Sequence, residues 1–180
     1  MSETPYAWCS QKLDTIIDHS RQFALLDKKQ MVYKALPDRW NAEECLIHIM
    51  VINELYFEQL YDIIDGKHKN PIIAPLSKTF GKMLVNNVTP GSKKAATMSI
   101  FEPSNKSISE EVPKAFMKHL EEFKNILNKL NHVDLKKTKV HSPASKLFKF
   151  NLEDCLRILI LHTERHVIQA FEEIKKLGMS

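Results

Sequence analysis

Residues 39–66 read "RWNAEECLIHIMVINELYFEQLYDIIDG". Asn41 stands at a helix N-cap, and Glu44 three residues later completes a capping box. Apolar side chains then cover most of the circumference until Gly66 closes the segment. A long helix with so few polar positions is a central element, buried on more than one side. His48 is a polar exception, flanked by Ile47 and Ile49.

Three more helices surround it in the chain. The first starts at Thr4-Pro5, a capping residue followed by proline at the first helical position. Trp8, Leu13, Ile16, Ile17, Phe23 and Leu26 recur along it, and it is expected to end between Asp27 and Gln30. That leaves a short link, which permits an antiparallel neighbour. The third runs from Ser109 or Pro113 to Leu130, with Phe116, Leu120, Phe123, Ile126, Leu127 and Leu130 facing inward. The fourth opens at "FNLEDCLRIL" (150–159), with Asn151 as cap and Asp154 three residues on, and ends at Gly178.

Between the second and third helices, residues 66–106 can cross the length of a bundle and start the third helix parallel to the second. Four of the eight prolines (Pro71, Pro75, Pro90, Pro103) fall there. Leu76, Phe80, Leu84 and Val88 are spaced for one short amphipathic helix. A connection this long and irregular is unusual unless it serves as a lid or binding loop. The expectation is an all-α fold, a four-helix bundle with a long crossover between helices two and three, forming a single domain over 1–180.

Composition agrees. The four glycines suit long helices better than a strand-and-turn protein. The N-terminus "MSETPYAWCS" has no secretory pattern, and no apolar run approaches the roughly 20 residues of a membrane span. Cys9, Cys45 and Cys155 form no disulfide framework, so a cytoplasmic address is expected, with no membrane partner. Against 22 lysines stand only 4 arginines, and specific nucleic-acid recognition leans on the guanidinium, so no nucleic-acid partner is expected. Residues 66–106 carry Lys67, Lys69, Lys78, Lys82, Lys93, Lys94 and Lys106 against one acid, Glu102. They form either a solvated lysine-rich loop or an anion-attracting surface.

The second and fourth helices begin alike, "WNAEECL" and "FNLEDCL". Measured from the shared cap, His48 lies seven residues in, and His162 and His166 eleven and fifteen. Those offsets advance by four, so all three histidines occupy nearly the same angular face. Histidines four apart stand about 6 Å apart along the axis and can aim at one cation, or form an ordinary structural pair. In the H-E-x-x-H protease motif a glutamate follows the first histidine directly. Here Thr163 takes that place, and Glu164 lies about 200° round the helix from His162. Gln169 shares the histidine face and could orient a ligand, touch substrate or bond to a neighbouring helix. His19, beside Asp18, could reach the surroundings of such a site. His68, His119, His132 and His141 fall in loops or on charged faces, where a solvated ring is expected. Cys45 reads as a core residue or a thiolate ligand.

The pattern "RWNAEECLIHIMVINELYFEQL", a long connection, then "FNLEDCLRILILHTERHVIQ" resembles the DinB/YfiT-like superfamily of metalloenzymes. One branch carries a Trp-Asn/Ser cap with one histidine on its second helix and H-x-x-R-H-x-x-Q on its last. Here those positions are His48 and then His162, Arg165, His166 and Gln169. The stretch "TPGSKKAATMSIFEPS" is similar to the loop before the family's third helix. The resemblance implies a bundle of up-down-down-up order, with His48, His162 and His166 binding one divalent metal ion, nickel or zinc, and open positions for water or substrate.

Three neutral imidazoles leave the cation's charge uncompensated, which favours anions and acidifies water. Two chemistries on a small-molecule substrate follow. One is hydrolysis; the other is S-transfer of a low-molecular-weight thiol of the bacillithiol or mycothiol type, which the family implies. A different reading is a non-catalytic bundle that binds metal or a small ligand. A homodimer is expected, since both apolar helices need more than one covered side.

Overall fold

The computed structural model of the protein describes residues 4–70, 77–92, 97–108 and 111–178. Pro71, Pro75, Leu76, Lys93, Lys94 and Ser109 lie outside them. The helices are α1 (Pro5–Ser20), α2 (Lys28–Val32), α3 (Ala42–Ile64), α4 (Ser77–Val88), α5 (Val112–Lys129) and α6 (Leu152–Leu177). Between α5 and α6 come β1 (Lys139–Ser142) and β2 (Ser145–Asn151).

The fold is all-α, a four-helix bundle of up-down-down-up order built from α1, α3, α5 and α6. Helices α3 and α1 each pack against both α5 and α6, so α1 and α3 occupy diagonal corners. The neighbours of the central helix α3, parallel α5 and antiparallel α6, therefore come from far along the chain. Phe116, Phe123, Leu13, Leu46 and Leu120 meet in the middle with essentially no exposed surface. The crossover carries α4, which packs over α6 and β2. The extra covered sides of α3 and α6 are thus supplied within the chain, by α5 and by α1 and α4. That accounts for the burial from which a second subunit was expected.

Three expectations are corrected. The first helix stops at Ser20 and tightens into a 3₁₀ turn over Arg21–Leu25. The reason is local: Asp27 accepts from the Gln30 backbone N–H at 2.8 Å, and the Gln30 side chain accepts from the Asp27 N–H at 2.9 Å. This capping box starts α2 at the place where the first helix was expected to end. The link to α3 is consequently long, and α1 neighbours α5 and α6 rather than α3. The third helix, by contrast, starts at Val112, between the two expected starts.

The third correction is the hairpin. Antiparallel β1 and β2 pair Val140 with Phe150, both buried, and His141 with Lys149. Its turn contains Pro143 and Ala144 and no glycine, so glycine scarcity did not exclude it.

Helix ends otherwise follow the sequence. Asn41 and Glu44 exchange both capping bonds at 2.8 Å. Asn151 accepts from the Asp154 N–H at 2.6 Å and donates back to its carboxylate at 2.9 Å. Gly66 ends α3 with φ of 69°, a left-handed conformation that costs other residues energy.

Gly81 has a different role. It sits where α4 crosses the start of α6, and a Cβ there would overlap the Asp154 carboxylate. Asp154 is buried and holds the α6 cap, so it has little room to retreat. Gly81→Ala is expected to cost roughly 1–3 kcal/mol, the usual penalty for overpacking. A lowered urea midpoint with an unchanged m-value is the measurement that checks it.

Candidate metal centre

The antiparallel packing of α3 on α6 brings His48 opposite His162 and His166. Ring centroids stand 5.1 Å apart for His48 and His162, 4.6 Å for His48 and His166, and 4.5 Å for His162 and His166. One nitrogen from each ring lies within 4.8 Å of the other two. The Nε2 atoms of His162 and His166 are 3.1 Å apart. Nitrogens about 2.0–2.1 Å from a tetrahedral cation stand about 3.4 Å from each other, so small ring shifts would complete such a shell.

The His48 ring is held from behind. The Nδ1–H of His48 donates to the Phe101 carbonyl at 2.6 Å, which leaves Nε2 as its available lone pair. Phe101 belongs to a 3₁₀ turn of the crossover (Ser99–Phe101), so that connection orients a ring on α3. Trp40 packs against the same ring with centroids 4.6 Å apart, and lies 6.0 Å from His166.

Burial keeps His48 and His162 neutral. It pushes His48 down to about 4, even though the Phe101 bond pulls the other way. His162 is pushed well below the ordinary histidine value, first by burial and then by the charge of His166, His48 and Arg165. Its Nδ1 is buried with no hydrogen-bond partner. Imidazole nitrogens packed this closely either share one proton or face one another with lone pairs, and a buried polar nitrogen left unmatched costs free energy. A divalent cation of borderline softness takes up the converging lone pairs, so these residues fit the metal that the motif implies.

The rings border a cavity of about 570 Å3. Gln169 reaches it, as the helical phase predicted. Helix α4 covers it, and Arg165 ties that cover down: its guanidinium donates to the Asn87 carbonyl at 2.9 Å and to Ser92 Oγ at 2.6 Å. Glu164 turns away and pairs with Lys12 of α1 at 2.8 Å.

Other assignments change. His19 lies exposed, to one side of the buried stripe Cys9, Leu13, Ile16 and Ser20 on α1, and does not line the cavity. Cys45 is fully buried and stands outside the histidine group. His119, expected in solvent, is 4% exposed. It stacks on Phe57 with centroids 5.0 Å apart and accepts at Nε2 from Asn53 at 3.1 Å. Its spacing to Phe116 and Phe123, three before and four after, was the signal for burial. Of the lysines in the crossover, Lys106 bonds Glu54 at 2.5 Å and Lys67 bonds Asp65 at 2.7 Å. No helix among the described residues is long and apolar enough to cross a membrane.

The fold and histidine cluster define a helical-bundle protein with a candidate three-imidazole metal centre. The sequence model of the DinB superfamily matches residues 15–170, and the chain belongs to that family. Its structure is similar to YfiT from Bacillus subtilis, described as a probable metal-dependent hydrolase with an unusual four-helix bundle topology. That similarity has a TM-score of 0.53 at 13% identity and covers 99% of this chain and 90% of YfiT. No curated protein matches the sequence at a significant level.

Proposed function

We propose that this protein is a metal-dependent hydrolase of a small molecule, with His48, His162 and His166 holding one divalent cation, nickel or zinc. The observation that supports it is the convergence of three imidazoles on the wall of a cavity large enough for a substrate. Three protein ligands beside open space are the pattern of a catalytic site, whereas a structural site closes with four. When bound, such a cation supplies Lewis acidity, acidifying water and polarising an electrophile.

The protein's own groups bind and orient. Trp40 and the Phe101 carbonyl fix the His48 ring. The Gln169 amide offers the substrate both a donor and an acceptor. Asp38 is the sole carboxylate among the described lining residues, and sits exposed at the rim.

Hydrolysis is favoured over S-transfer by the character of the cavity. Its walls are mostly apolar, and its two arginines are engaged, Arg165 with the crossover and Arg39 with Glu173 at 3.4 Å. A highly polar thiol would find few partners there.

The test is elemental analysis of untagged protein followed by a screen of esters and amides. Near-stoichiometric nickel or zinc is expected, with turnover lost on chelation and restored by the same ion. Protein that retains neither metal from supplemented medium would sink this reading.

A further inference from the structure

The cavity changes character along its length. On α3, His48, Ile52 and Tyr56 recur every four residues and all line it. At 1.5 Å per residue that row spans about 12 Å along the bundle. Because α6 runs antiparallel, its Ile158 falls towards the Tyr56 end while His162, His166 and Gln169 stay with His48. One end therefore carries ring nitrogens and an amide; the other is mostly hydrocarbon, with the Tyr56 and Ser142 hydroxyls bonded to each other.

The roof continues the pattern. Phe80, Leu84 and Val88 of α4 recur at helical spacing along the cavity, Phe80 over the apolar end and Val88 towards the histidines. Phe148 of β2 stacks on Phe80 with centroids 4.7 Å apart and is 49% exposed, so an aromatic pair stands at the side of the opening. Charged groups among the described lining residues are confined to Asp38, Arg39 and Arg165. Both arginines already have partners inside the protein. Few groups among the described lining residues would compensate a long polar or multiply charged substrate, whereas an apolar chain entering there would leave water at little polar cost.

We infer that the ligand is an amphiphile: a compact polar head at the three histidines and Gln169, and an alkyl or aromatic tail running between α3, α4 and β2 towards Tyr56 and Ile158. This rests on the hydrolase reading only for the position of the head. For a hydrolase, the substrate class would be esters or amides of medium-chain or aromatic acids. The hairpin then contributes directly to specificity, because β2 supplies one wall of the tail channel.

Calorimetric titration with alkyl hydroxamates, from acetohydroxamate to octanohydroxamate, tests the inference on both nickel-loaded and metal-free protein. Affinity should rise about three- to fourfold per methylene, at least about a hundredfold across the series, in both forms. Nickel should add a constant factor at every length. Length dependence without that factor would remove the metal reading and leave the tail channel standing. Affinity that is flat with length in both forms overturns the channel whatever the metal does. Leu84→Gln and Ile52→Gln should each flatten the series, weakening octanohydroxamate far more than acetohydroxamate. Full length dependence in both variants places the tail elsewhere and also overturns the inference.

Discussion

His48→Ala protein, purified without a tag and dialysed against nickel or zinc, should retain neither metal while keeping its helical circular dichroism. Loss of an outer partner of a metal ligand costs about 10–100-fold in affinity, and loss of the ligand itself should exceed that. The fold should persist because the change falls at the cavity wall rather than in the packed centre. The ring leaves behind one Phe101 carbonyl, which water in the cavity can reach, and a contact with Trp40. Together these represent about 1–3 kcal/mol, short of typical domain stability. His162→Ala should behave alike, whereas Gln169→Ala should reduce metal affinity by tenfold or less and act mainly on substrate binding. A His48→Ala protein that unfolds along with losing metal would instead assign the cation a structural role. Full metal retention would dissolve the three-histidine site altogether.

The parts of the fold legible in the sequence were those written in helical period and capping chemistry. Asn41 with Glu44 and Asn151 with Asp154 sit where their side chains close the first turns. The shared start of those two helices also gave the angular register of the three histidines, because a rigid helix carries phase reliably over four turns. The element boundaries that failed were decided by short-range competition. Asp27 could be read as the tail of one helix, yet its bond to the Gln30 N–H makes it the head of another. The hairpin escaped because its strands were judged by glycine count. The alternation of Val140 and Ser142, and of Phe148 and Phe150, carried the information instead.

The clustering of the three histidines was legible, and the groups around them were not. Phe101 contributes only a backbone carbonyl, which no side-chain pattern announces. Arg165 belongs to the motif, but its task of fastening the crossover at Asn87 and Ser92 depends on a contact 73 to 78 residues distant. His119 was misplaced for a simpler reason. Its neighbours Lys118 and Glu121 suggested a charged face, while its phase with Phe116 and Phe123 put it on the buried one.

That burial has a measurable consequence in acid. Metal-free protein should lose stability as pH falls from 6.5 towards 3, and part of the loss should vanish in His119→Gln. In the folded state His119 is pushed down to about 3, mainly by burial and secondarily by the charge of Lys106. Glu54 lies 3.9 Å from its Nδ1, but Lys106 already engages that carboxylate at 2.5 Å. The remaining neighbours, Asn53 and Phe57, are uncharged. Unfolded, the same ring takes a proton near 6.5. Between the two values the unfolded chain binds the extra proton, so stability rises with pH there and is complete above about 7. The slope contributed by one proton is about 1.4 kcal/mol per pH unit, on the order of 4 kcal/mol over the window. His48 and His162 add slopes of the same sign when no metal is bound, which makes the difference between proteins the quantity to read. Glutamine keeps an oxygen that can accept from Asn53 and has no proton to gain, so urea midpoints of His119→Gln should fall more gently with acid than those of the parent. Parallel curves would mean that His119 accepts its proton inside the fold, and that the Phe57 stack opens to let it do so.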